Sequence, residues 1–244
     1  MSMKPMKWKK FIVGYVLALA IFLFAQRRPM PVITPVYSSI IDLTHSVEVS
    51  PKAQSGLKTP APLGTYIEAP ANFAPQLWTV DQIPSERLIA PLVILDVEKK
   101  VSQNPDYQVS MDDIVGWENA HGQLPMGSVV MARTGWDYRW NSIKQYQNLD
   151  HRGVMHFPGY SLDAAKFLVQ GRKILGLGID TLSVDSGASK DFAVRNYTLA
   201  HSLYHLQNVA NLSTVAESGA TVVVAPAKVE GSNGGPVRIL ALVK

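Results

Sequence analysis

Two continuous apolar runs with a capped helix start between them constrain this chain more than any other feature. Pro91-Leu-Val-Ile-Leu-Asp96 and Ser128-Val-Val-Met-Ala-Arg133 have the length and composition of buried strands, and Ser110-Met-Asp-Asp-Ile-Val between them opens as a serine-capped helix. A second capped helix is expected from Ser161-Leu-Asp-Ala-Ala-Lys-Phe-Leu, which has apolar residues at helical spacing and ends at Gly171. Ile40 to Leu43, Ile174 to Ile179, Thr221 to Pro226 and Pro236 to Val243 read as further strands. Pro60, Pro62 and Pro70 bracket Gly64 to Glu68, read as a loop feeding a short strand. Strands outnumber helices and interleave with them, without internal repeats, so the 244 residues are expected to form one mixed α/β domain.

Composition narrows the functions open to such a domain. With 47% apolar and 17% charged residues, disorder, collagen and coiled coil are excluded. The absence of cysteine removes disulfide frameworks, thiolate zinc sites, iron–sulfur clusters and cysteine nucleophiles. The formal charge of +4 is local: subtracting Lys4, Lys7, Lys9, Lys10, Arg27 and Arg28 leaves −2, so no nucleic-acid partner is expected. Those cations flank an apolar run from Phe11 to Ala25 that, at about 1.5 Å per residue, falls short of the roughly 30 Å hydrocarbon layer. Residues 1–28 are therefore expected to be a signal peptide cleaved before Gln26, or an N-terminal anchor retained by Arg27 and Arg28. Either makes the protein exported, periplasmic or extracellular, touching a membrane only through residues 11–25. Residues 29–39 read as a Pro/Ser-rich arm and 40–244 as the domain.

Leu63-Gly-Thr-Tyr-Ile-Glu-Ala-Pro-Ala-Asn-Phe73 and Trp78-Thr-Val-Asp-Gln-Ile-Pro-Ser-Glu-Arg-Leu88 are followed, in order, by five further segments. These are Leu124 to Trp136, Phe157-Pro-Gly-Tyr-Ser161, Gly178 to Asp185, Asn208-Val-Ala-Asn-Leu212 and Gly234-Gly-Pro-Val-Arg238. Together they resemble the cyclase family of metal-dependent hydrolases, the group that includes kynurenine formamidase and isatin hydrolase. The resemblance implies a compact α/β domain with a β-sheet core flanked by helices, assembled as a homodimer or tetramer. It also implies hydrolysis of small amides or lactams by a zinc- or manganese-activated water. The family signature is His-x-Gly-Thr-His-x-Asp-x-Pro-x-His-Phe.

Carried over residue by residue, the ligand histidines fall on Pro62, Tyr66 and Arg195, the bridging aspartate on Glu68 and the later acidic ligand on Gln207. The proton-shuttling histidine falls on Asn72. Proline has no side-chain donor, a phenol of pKa about 10 binds a divalent cation poorly, and amides are weak ligands. A guanidinium repels a cation, and an amide does not titrate as an acid or base. Glu68 alone remains a credible ligand, so no cofactor is expected. A buried carboxylate without its metal needs another cation, which predicts an Arg195–Glu68 ion pair with Tyr66, Asn72 and Gln207 hydrogen-bonding around it.

Arg195, Tyr66, Trp136 and Trp140 are the expected contacts to a small ligand, the tryptophans stacking a flat or aromatic one. His201 and His205, four apart, would share a face if helical, as a metal pair needs. His45, His121, His151 and His156 read as local backbone or turn residues, and Asp180 and Asp185 as carboxylates bonding their own backbone. No Gly-x-Ser-x-Gly elbow or dinucleotide loop is present. Three functions stay open: a ligand-binding relative without metal or hydrolysis, an active hydrolase using Glu68 with His201, His205 or another ligand, and the inactive subunit of a mixed oligomer.

Overall fold

The computed structural model describes residues 36–46 and 64–244. The leader, most of the arm and Pro62 lie outside them. Among the described residues no helix is long and apolar enough to cross a membrane.

Ten strands are described: β1 (Ser39–Asp42), β2 (Tyr66–Glu68), β3 (Ile89–Asp96), β4 (Gln108–Val109), β5 (Val129–Arg133), β6 (Gly159–Tyr160), β7 (Gly176–Ile179), β8 (Tyr204–Gln207), β9 (Thr221–Pro226) and β10 (Gly234–Val243). Five α-helices accompany them: α1 (Glu98–Gln103), α2 (Met111–His121), α3 (Ile143–Gln147), α4 (Leu162–Lys166) and α5 (Ala193–Ala200). The main sheet runs β1-β10-β2-β8-β7-β5-β3-β9, and β9 also pairs with β10, which closes the sheet into a barrel-like ring. β3, β5, β7 and β8 are mutually parallel, while β2, β9 and β10 join antiparallel. The domain is therefore α/β, a sheet core flanked by helices.

The apolar runs in β3 and β5 are continuous because both faces are covered. Val93, Leu95, Val130 and Ala132 pack outward with Ile114, Ala164 and Leu168 of the helices, whereas Leu92, Ile94, Val129 and Met131 join Val222, Val224 and Ile239 in a second cluster. Ser110 caps α2 through a capping box with Asp113, and Ser161 caps α4 by accepting from Ala164 N. The second helix departs from its expected form in one respect: after Lys166 it widens into a π-turn over Phe167–Arg172.

Candidate functional site

A four-residue cross-strand face builds the site. In the β2–β8 pair Tyr66 stands opposite Gln207 and Glu68 opposite His205, and the two-residue period of a strand puts all four on one side. Ile67 and Leu206, between them, point the other way and are fully buried in the second cluster. Pro70 ends β2 and starts a 3-10 turn, Pro70–Asn72, that swings the Asn72 amide back onto Glu68 Oε1. From the helix side, Asp185 accepts the backbone N–H groups of Val194 (2.9 Å) and Arg195 (3.0 Å) and so fixes the start of α5. Arg195 then reaches Glu68 Oε1 with Nε at 2.7 Å and Nη2 at 2.6 Å.

Both Glu68 oxygens are thereby enclosed by donors. Oε1 accepts from Asn72 and Arg195, and Oε2 from His205 Nδ1 (3.0 Å) and Gln207 Nε2 (3.3 Å). Burial on its own would raise the carboxyl, but the bonds and charge of His205 and Arg195 outweigh it and hold the pKa at about 2. Asn72 and Gln207 take the expected places. Tyr66 does not: its ring lies over Gly234, where a Cβ would come within 2.6 Å of the phenol oxygen, and among the described residues that hydroxyl has no partner. Burial and the Glu68 charge both raise the Tyr66 pKa, so the phenol stays protonated.

His205 is the site residue whose role the sequence did not reveal. The helix ends at Ala200, Ser202 turns the chain with φ 61°, and His205 sits on β8, so it shares no helix face with His201. His201 is exposed and bonds Tyr197 O (2.7 Å), while His205 is fully buried between Glu68 and Thr198 Oγ1 (2.6 Å). The alternation Tyr204-His-Leu-Gln207, with two polar residues on one face, was the available signal. Thr198, His205 and Glu68 have the order of a nucleophile–base–acid relay. It is sealed, because Thr198 is fully buried and its hydroxyl also bonds Val194 O at 2.7 Å.

The model of the family described as putative cyclase matches residues 38–186, more than half of the chain. The chain belongs to the cyclase family. It is similar to the isatin hydrolase of Roseibium aggregatum, 32% identical over 188 residues that cover 74% of this chain and 71% of the relative. Among solved structures it resembles isatin hydrolase A from Labrenzia aggregata bound to benzyl benzoate. There the TM-score is 0.75 at 28% identity, over 84% of this chain and 93% of that one. Isatin hydrolase A from Ralstonia solanacearum gives 0.74 at 26% identity over the whole of both chains.

For a member of a metal-dependent hydrolase family the donor set of this chain does not fit a divalent cation. Glu68 and His205 are bonded to each other, the guanidinium lies against the same carboxylate, and among the described residues no three His, Cys, Asp or Glu side chains converge.

The other expected residues make contacts of their own. Trp136 is 1% exposed, with its indole N–H donated to Tyr146 O and Arg139 over its ring, and Trp140 stacks on His45. Arg139 thus covers one face of Trp136 and His45 one face of Trp140. Burial pushes the His45 pKa down to about 4. Asp180 accepts from Thr134 N, Thr134 Oγ1 and Trp136 N, a backbone-organising role, as Asp185 has for α5. His121 pairs with Glu217 at the surface, and His156 bridges Asp106 (2.8 Å) and Asp150 (3.7 Å) between two loops.

Proposed function

We propose that this protein is a cyclase-family member that binds a small ligand at the Glu68 pocket without a divalent metal and does not hydrolyse amides there. The observation that carries the reading is the enclosure of both Glu68 oxygens by Arg195, His205, Asn72 and Gln207. A metal would have to displace several of these donors and sit beside a guanidinium, and Asn72 offers no titrating group to move a proton. Export through the basic–apolar–basic leader belongs to the same proposal, and cell fractionation with an antibody to the domain tests it.

Elemental analysis of protein purified without chelator, followed by assay of isatin opening with added zinc or manganese, tests the central reading. The expected result is metal far below one equivalent and no turnover above buffer. Near-stoichiometric zinc or manganese with isatin opening overturns it and restores the hydrolase reading.

A further inference from the structure

The chain contains a single Asn-Gly dipeptide, Asn233-Gly234, and it lies where β10 begins, beside the strand that carries Glu68. Asn233 is exposed. Its backbone oxygen accepts from Ala69 N (2.9 Å), and among the described residues its side-chain amide makes no hydrogen bond. The glycine is imposed by a neighbour, since a Cβ at Gly234 would come within 2.6 Å of the Tyr66 phenol oxygen and 2.8 Å of Ile67 O.

The sheet leaves the Gly234 N–H over. Ala69 N bonds Asn233 O and Val237 N bonds Thr65 O (3.1 Å), so the bonded pairs between β2 and β10 fall on Asn233, Gly235 and Val237. The Glu68–Gly234 pair between them is a non-bonded one, and the Gly234 N–H faces away from β2. Its acceptor there is Ser232 Oγ at 3.4 Å, a weak bond. A lightly held backbone nitrogen beside an amide that nothing ties down can attack it intramolecularly, and the missing Cβ leaves the approach uncrowded.

We propose that Asn233 is a site of spontaneous covalent modification, passing through a succinimide to aspartate and isoaspartate, and that the isoaspartate form displaces β2 and with it Glu68. The Gly234 nitrogen gives its proton to solvent base and attacks the side-chain carbonyl carbon of Asn233. The new C–N bond closes the succinimide ring, and the amide nitrogen leaves as ammonia. Water then adds to one of the two imide carbonyls and breaks its bond to nitrogen. Depending on the carbonyl, the product is aspartate, or isoaspartate with the main chain rerouted through the side-chain carboxyl. Both products add a negative charge, and isoaspartate also lengthens the backbone by a methylene. The loop has little room to absorb that length, because Ser232 O holds Val80 N (2.8 Å) and Asn233 O holds Ala69 N, the residue after Glu68. The inference does not depend on what the Glu68 pocket binds.

Incubation of the full chain at mildly alkaline pH, followed by peptide mapping with mass spectrometry, tests the chemistry. The Asn233 peptide should gain the mass of an NH2 replaced by an OH, and enzymatic methylation specific for isoaspartate should label it. Conversion in the folded chain should lie within about tenfold of that in urea, and should be at least about tenfold faster than at Asn148 or Asn211. Asn233→Gln, which would have to close a larger ring, should abolish the label. No mass gain, a folded chain slower than that limit, no lead over the other asparagines, or a label that persists in Asn233→Gln each overturn the proposal. Displacement of β2 has its own measurement. The isoaspartate fraction, separated by ion exchange, should unfold at lower urea than freshly purified Asn233→Asp, which carries the same added charge without the methylene. Coincident urea midpoints would show that β2 stays in place and overturn that part.

Discussion

Glu68 accepts from four side chains at once, and those bonds favour its ionised form. Its pKa is about 2 in the folded chain against an ordinary 4.5, so the stabilisation is complete above 4.5 and is lost as the pH falls toward 2. Spread over that window the loss amounts to about 3 kcal/mol. Urea unfolding between pH 5 and pH 2 should show it in the wild type and not in Glu68→Gln, which starts less stable at neutral pH. Parallel pH profiles would mean that the carboxylate is not held ionised by its neighbours. At this scale the sequence was informative where the family resemblance gave a fixed frame: Gly64-Thr65 and Ala69-Pro70 locate Glu68 and Asn72, the resemblance places Arg195 at a ligand position, and the buried carboxylate's need for a cation pairs the two. It offered His205 only as one of a helical pair with His201, because an i, i+4 spacing reads as helical until Ser202 is known to turn the chain.

Capped helices and long apolar strands were legible because their signals are local: a serine three residues before its partner, or four apolar residues in succession, Leu92–Leu95 and Val129–Ala132. β8 and the anchoring of α5 were not. β8 has only four residues, and α5 starts at Phe192, which makes no side-chain cap. Its first N–H groups are answered instead by Asp185, nine and ten residues earlier, out of reach of any local motif. Gly159 makes room for that arrangement, since a Cβ there would lie 2.3 Å from Ser186 N and 2.4 Å from Asp185 C. Asp185→Ala should therefore cost about 1–2 kcal/mol, as loss of a helix cap does, and should also loosen Arg195 from Glu68. The second effect has its own readout: the acid-induced loss of stability between pH 4.5 and 2 should shrink in Asp185→Ala. A stability loss with an unchanged acid profile would confine Asp185 to the helix end.

The closed order of the sheet depends on contacts such as β2 with β8, about 140 residues apart, which no periodicity encodes. The resemblance of whole segments supplied what local patterns could not, and the fold agrees with isatin hydrolases at TM-scores near 0.75 despite identities of 26–28%. The fold is thus shared, and the resemblance of the sequence implies a site that has departed from it separately, at one face of β2, β8 and α5. If that separation is real, the pocket should accept the family's ligand set again. A variant combining Pro62→His, Tyr66→His, Glu68→Asp, Asn72→His, Arg195→His and Gln207→Glu should bind close to one equivalent of zinc by titration and elemental analysis. The order of the changes matters, because a guanidinium beside the restored carboxylate would still repel the cation. The same variant with Arg195 retained should therefore bind no zinc. Zinc uptake with Arg195 still in place would show that charge exclusion does not govern the pocket, and failure of the complete set would show that the strands themselves have shifted.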